Sequence, residues 1–297
     1  MIATDLSPAA DEAIKQGHAR ALAARASIAI CHVLPDAFRG HPMFPHLGVQ
    51  SALSVPQMRD RVTAMIADRT CELTGRTPEE FEVLLDDGVP HAVILQQAER
   101  WRADLVIVGS QGSTGLARIL LGSVAERVVR HAQTPVLVAR PSSGSGQILV
   151  GTDFSDPTLP AVAAAAAEAK LGKRNLTILH AIEVPFVAST TFSYLSVPFG
   201  GVAYGGLDSA SMAAIEKAVD RSIGEVLSQI DAADAQRSVV WGAPGPAIVQ
   251  AAVRLAAELV VVGTVGRTGL DRVLLGSTAE KVVRAAPCSV LVVRLAG

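Results

Sequence analysis

Aromatic residues are scarce, at 4% of the 297 positions. That is too few for the stacking platforms that hold single-stranded nucleic acids. Lys and Arg number 26 against 28 Asp and Glu, scattered along the chain, for a formal net charge of −2. Recognition of nucleic-acid phosphates needs a concentrated basic face, so nucleic acid is not an expected partner. The cysteines are three, Cys31, Cys71 and Cys288, spaced neither as a disulfide framework nor as a metal site. A reducing, cytoplasmic setting is the expectation. No charged-then-apolar leader opens the chain. The alanine run AVAAAAAEAK (161–170) is too short to span a bilayer and reads as a helix with small-residue packing, so no membrane insertion is expected.

Catalytic signatures are missing too. There is no Gly-x-Ser-x-Gly elbow, no Cys/His pairing, no repeated carboxylate dyad and no Walker lysine. Asp86 and Asp87 have Val240 and Trp241 at the matching places of a second copy, which argues against a shared metal or phosphoacceptor site.

What the chain does have is a repeat. Residues 109–132 and 263–286 share 16 identities in 24 positions. Gly88 and Gly109 recur 154 residues later as Gly242 and Gly263, whereas Asp5 and His32 recur 148 later as Asp153 and His180. Repeat two therefore carries six extra residues between His180 and Gly242. Units of this length are domains, expected at 1–141 and 146–297, with PSSGSGQ (141–147) as a short flexible linker. With 49% apolar residues, each can bury a core.

Within repeat two, apolar strands are predicted at 147–152, 175–184, 238–241, 259–264 and 289–294. Helices are predicted at 155–172 with Ser155 as N-cap, at 212–230, at 246–258 with Pro246 in the first turn, and at 277–286. Near-continuous Val/Ile/Leu strands alternating with helices imply a parallel sheet covered on both faces. Repeat one follows the same order, but its first strand begins two residues later relative to the other copy, so it is either short or clipped.

The glycine stretches GSQGSTGLARILLGS (109–123) and GTVGRTGLDRVLLGS (263–277) fall between a buried strand and a helix. Ligands of parallel α/β sheets bind at the carboxyl ends of the strands. Gly109, Gly112, Gly263 and Gly266 would let backbone approach a ligand or take positive φ, and the helices opened by Gly122-Ser123 and Gly276-Ser277 would favour a phosphate. The plainer alternative is structural: Ser123…Glu126 and Ser277…Glu280 have capping-box spacing. Asp5 and Asp153, in T-D-x-S, could meet a ribose or base edge, or simply make an Asx-turn. Gly88-Val-Pro90 and Gly242-Ala-Pro244 read as tight turns into helices. His41 and His46 are weak metal candidates, and His32 and His180 read as satisfied core histidines. The apolar, Gly-rich segment 185–208 is either a lid or partner surface, or a packed loop.

The pattern G-x2-G-x9-G-S, after an apolar strand and paired with an early T-D-x-S, resembles the universal stress protein family, twice over and across nearly the whole chain. The resemblance implies two tandem three-layer α/β/α domains, each a five-stranded parallel sheet of order 3-2-1-4-5 (adenine nucleotide α-hydrolase-like). It also implies the ATP-binding branch of that family, with Mg²⁺ as an optional companion of the nucleotide. Carried over by position, Asp5 and Asp153 would meet the ribose. Ala3 and Gly151 would line the adenine pocket, together with Val33 and Ala181. Val108 and Val262 would contact the base edge through backbone groups. The glycines, with Ser123 and Ser277, would hold phosphates, and Val124 and Thr278 lie just beyond. The resemblance further implies pairing of 136–140 with 290–294 inside the chain, and a homo-oligomer of tandem chains. Three functions follow as alternatives: a nucleotide-dependent stress-response regulator with an unknown protein partner, a weak ATPase or nucleotidyl-transfer enzyme, or a nucleotide-independent scaffold.

Overall fold

The structure, a computed structural model, describes residues 1–34, 55–110, 121–141, 144–155, 158–183, 208–230, 232, 234–264 and 275–294. Gly112, Gly266, His41, His46 and the 185–207 stretch of the long segment lie outside the described residues.

Repeat one runs β1 (Ile2–Ala3), α1 (Pro8–Ala24), β2 (Ala29–Leu34), α2 (Val55–Thr74), β3 (Glu82–Asp87), α3 (Pro90–Arg100), β4 (Val106–Gly109), α4 (Ser123–His131) and β5 (Val136–Ala139). Repeat two runs β6 (Gln147–Gly151), α5 (Leu159–Gly172), β7 (Asn175–Ile182), α6 (Ser209–Gln229), β8 (Gln236–Trp241), α7 (Pro244–Arg254), β9 (Leu259–Gly263), α8 (Ser277–Ala285) and β10 (Ser289–Val293). The strands of the described residues join one sheet of order β3-β2-β1-β4-β5-β10-β9-β6-β7-β8, so each half has the expected 3-2-1-4-5 order. Pairing is parallel within each repeat. Among the described strands it is antiparallel only where β5 meets β10, with Leu137 opposite Leu291. The repeats thus form a pseudo-dimer through their last strands.

The strands are apolar throughout because both sheet faces are covered. In β9, Val260 and Val262 enter one core layer while Leu259 and Val261 enter the other, the two-residue period of a strand. One layer is roofed by α3, α4, α7 and α8, through residues such as Ile94, Val128, Ile248 and Val282. The opposite layer is roofed by α1, α2, α5 and α6, through Ile14, Ile66, Ala165 and Ile223. Helix α5 buries Ala161, Ala165 and Ala169, one per turn; their small side chains form the face it lays on the sheet.

Several local expectations change; helix α6, for one, starts at Ser209 with Asp208 as N-cap, and α7 ends at Arg254 rather than 258. Helix α5 starts at Leu159 with Thr158 as N-cap, not at Ser155. Ser155 instead binds Asp153, through its N–H at 3.0 Å and its hydroxyl at 2.5 Å. Helix α7 begins at Pro244, two residues before the predicted start, because a proline at N1 has no N–H to lose. The described part of the linker is tied down: Ser145 Oγ donates to Ala256 O at 2.6 Å, and the Gly146 N–H donates to Glu258 Oε2 at 3.1 Å. No helix among the described residues is long and apolar enough to cross a membrane.

Candidate functional site

A cavity of about 520 Å³ opens in repeat two at the carboxyl ends of β6, β7 and β9, under the first turns of α7 and α8. Of the repeat-two residues singled out from sequence, Gly151, Asp153, Ala181, Val262, Gly263, Gly276, Ser277 and Thr278 all line it. Only Gly266, outside the described residues, is missing from that set.

Each wall has a local cause. Gly151 ends β6, and a Cβ there would stand 2.5 Å from Cδ1 of Ile248, so the missing side chain is what admits Ile248 of α7 to the wall. At the T-D-x-S turn, Thr152 Oγ1 accepts the Phe154 N–H at 3.1 Å and Asp153 Oδ1 accepts the Ser155 N–H at 3.0 Å. Thr4 and Asp5 make the same two bonds, to Leu6 and Ser7, in repeat one. These bonds hold Leu6 and Phe154 at φ of 62° and 60°, a left-handed conformation that non-glycine residues adopt only under local compensation. The Asx-turn therefore exists in both repeats. Asp153 is further fixed by the Thr158 hydroxyl, which donates to its Oδ1 at 3.0 Å.

His32 and His180 are hydrogen-bonded as expected, but they are half-buried rather than core. His32 Nδ1 lies 2.8 Å from Thr4 O and His180 Nδ1 lies 2.8 Å from Thr152 O, each bracing the strand-one turn against strand two. His180 also lines the cavity and stacks on Phe154, with ring centroids 4.6 Å apart.

The glycines divide by role. Gly109 takes no positive φ, and its backbone packs closely on the start of α1: a Cβ there would stand 2.7 Å from Ala9 O. The expected capping boxes do not form. Gly122 and Gly276 are themselves the N-caps, at φ −64° and −62°, and Ser123 and Ser277 occupy the first helical position. The cause is the loop closure just before each helix. The Gly122 N–H donates to Ser110 O at 2.8 Å and the Gly276 N–H to Thr264 O at 2.7 Å, which puts glycine at the boundary. Among the described residues no side chain caps either helix, so a ligand can take that role for the N–H groups of the first turn.

The repeat-one candidates hold the matching places. Ala3 ends β1, Val33 lies near the end of β2, and Val108 and Gly109 end β4. Ser123 and Val124 open α4 behind Gly122, and Asp5 sits in its turn. Ala3, Val33 and Val124 replace Gly151, Ala181 and Thr278, so this side is more apolar and bulkier.

The G-x-P turns are structural. Gly88 and Gly242 take φ of 139° and 131°, and Val89 and Ala243 serve as N-caps ahead of Pro90 and Pro244. The Asp86 carboxylate accepts from Gln97 at 2.8 Å, and Asp87 lies 3.6 Å from Arg59. Among the described residues, no group of three His, Cys, Asp or Glu is placed to hold a metal ion.

Sequence reasoning gave no role to several lining residues: Thr158, Ile248 and Glu183. Thr158 and Ile248 come from helices packed over the strand ends, and Glu183 has Pro35 at its repeat-one position. The carboxylates on the lining are Asp153 and Glu183.

This arrangement can be set beside known proteins. The sequence model of the universal stress protein family matches residues 1–140 and again residues 145–294. The chain belongs to the universal stress protein family. A universal stress protein of Mycobacterium tuberculosis is 31% identical over 226 residues, 72% of this chain and 68% of that protein. One from Thermus aquaticus is 36% identical over 149 residues, 50% of this chain and 97% of its own length. A Methanocaldococcus jannaschii member is 56% identical, but over 54 residues, 32% of its length. The crystal structure of a universal stress protein from Archaeoglobus fulgidus matches 100% of this chain and 97% of its own, with TM-score 0.63 at 19% identity, a likeness of fold. The tandem universal stress protein architecture thus extends over both repeats.

Proposed function

We propose that this universal stress protein is a binding module for adenine nucleotides, ATP first among them, whose occupancy alters its shape or its protein partners in a stress response. The observation that carries this reading is the cavity of about 520 Å³ lined by eight residues chosen from the glycine, T-D-x-S and strand-two positions. Its volume suits a small-molecule ligand. Its chemistry is graded. Gly151, Ala181, Ile248 and Val262 offer an apolar slot for a base, and Asp153 offers acceptors for a ribose. Gly276, Ser277 and Thr278 offer the start of α8 to phosphates. Mg²⁺ would enter with the phosphates, since this ion commonly binds through them and one or two carboxylates.

The test is mass spectrometry of freshly purified, denatured protein together with calorimetric titration of ATP and AMP. Co-purified nucleotide or saturable heat is expected; neither would sink the reading. Gly276→Asp sharpens the test. At φ −62° and ψ 150° the N-cap accepts any L-residue, and Asp is among the best N-caps. The variant should fold at least as well as the parent while its carboxylate occupies the phosphate position. We further propose that repeat two is the stronger site. Loss of all binding in Gly122→Asp, with retention in Gly276→Asp, would reverse that assignment.

A further inference from the structure

Arg140 and Arg294 hold equivalent positions directly after the last strands of the two repeats, and each reaches into the other repeat. Arg140 donates to Val283 O at 2.6 Å and to Cys288 O at 3.3 Å. Arg294 donates to Val129 O at 3.3 Å and to Arg130 O. Val129 and Val283 are themselves equivalent, so the contact is reciprocal. Both carbonyls belong to the last turns of α4 and α8, where a helix leaves its final C=O groups without intrahelical partners. These are the same two helices whose uncapped N-termini begin at Gly122 and Gly276.

We infer that each arginine is a positioning residue for the other repeat's nucleotide site: Arg140 for the site at the start of α8, and Arg294 for the site at the start of α4. The deduction deepens the nucleotide reading above and rests on it. Two physical effects act together. A guanidinium bonded to carbonyls of the last turn, Val283 O for Arg140 and Val129 O and Arg130 O for Arg294, fixes where the helix sits along its axis, and hence where its first N–H groups point. Its charge also offsets the negative end of the helix dipole, leaving the positive end to the anion. Each helix has nine residues, about 13 Å at 1.5 Å per residue, so one end transmits a shift to the other as a rigid rod. The β5–β10 seam is then more than a dimer contact, because a side chain from the opposite repeat positions the helix that opens each site.

A purely structural clip would behave differently. Loss of either arginine would loosen the seam and weaken both sites alike. The positioning role predicts a crossed pattern in single-site proteins. With repeat two as the competent site, in a Gly122→Asp background, Arg140→Gln should weaken ATP binding about three- to tenfold, while Arg294→Gln leaves it nearly unchanged. In a Gly276→Asp background the two effects should exchange. Arg140→Lys keeps the charge but not the guanidinium geometry and should recover part of the affinity; it also serves where Arg140→Gln does not fold. If one background alone binds ATP, the contrast between the two arginines is read there. Equal losses from both arginines, or none from either, overturn the inference and leave nucleotide binding standing. A parent chain that binds no ATP overturns the nucleotide reading, and this one with it.

Discussion

The hydroxyl of Ser289 donates to Oε1 of Gln16 at 2.9 Å across 273 residues of chain. Ser289 is buried at the start of β10, and Gln16 projects from α1 of the other repeat. Arg140 closes the cluster: its N–H donates to Ser289 Oγ at 3.0 Å, and its carbonyl accepts from Gln16 Nε2 at 2.7 Å. Ser289→Ala would leave the Arg140 N–H and the Gln16 amide oxygen without these partners in a buried seam. A loss of about 1–3 kcal/mol is expected, the cost of orphaning buried polar groups. Urea unfolding at constant m-value would measure it, and a change below about 0.3 kcal/mol would contradict this view of the seam.

That cluster illustrates what sequence cannot show. Pro135 stands at the repeat-one position of Ser289 and Ala164 at the repeat-two position of Gln16, so comparing the copies gives no hint of the bond. What was legible is local. Gly151, Asp153, Val262 and Gly263 are carried to the cavity by strand ends and the turns beside them, and a parallel sheet brings strand ends together. Thr158 and Ile248 line the cavity only because α5 and α7 pack where they do, a tertiary outcome. Ser277 was displaced from the cap because loop closure placed Gly276 at the boundary, a choice that capping-box spacing alone does not reveal.

The turn glycines should be intolerant of substitution. Gly88 and Gly242 hold φ of 139° and 131°, a region open to glycine and strained for any residue with a Cβ. Gly242→Ala should cost about 1–3 kcal/mol from backbone strain, since its Cβ would meet nothing within 4 Å. Gly88→Ala should cost at least as much, because its Cβ would also press on Val93 Cγ2 at 3.1 Å. Thermal melts of both variants beside Gly276→Asp make the check. Equal stability of all three would refute the distinction between obligatory and replaceable glycines.

Acid sensitivity should trace partly to Asp86. The N–H of Asp87 bonds its carboxylate and holds its pKa below the ordinary 3.8; Gln97 and the charges of Arg100 and Arg59 add to this, and burial opposes it. A carboxyl depressed in the folded state stabilises the protein fully above its unfolded pKa and loses that contribution as pH falls through the folded value. Asp86→Asn removes the titration. The stability gap between parent and variant should be constant from about pH 6 to pH 5 and shrink below the ordinary 3.8. Chemical denaturation across that range would record it; a gap that widens with acid would mean the wrong sign for this group.

The thiols should separate cleanly by burial. Cys31 and Cys288 are 0% and 3% exposed, and burial pushes their pKa up to about 12 and about 11. Asp86 adds to the rise at Cys31, while Arg140 works against it at Cys288. The thiolate is the reacting species, so at pH 8 both are protected twice, by access and by protonation. Cys71, half-buried on α2, should be the thiol that iodoacetamide alkylates in the folded protein, and all three should react in denaturant. Peptide mapping after a timed pulse gives the pattern. Cys288 lies against the seam, where Arg140 binds its carbonyl, so early labelling there would show the two repeats parting while the rest of the fold holds.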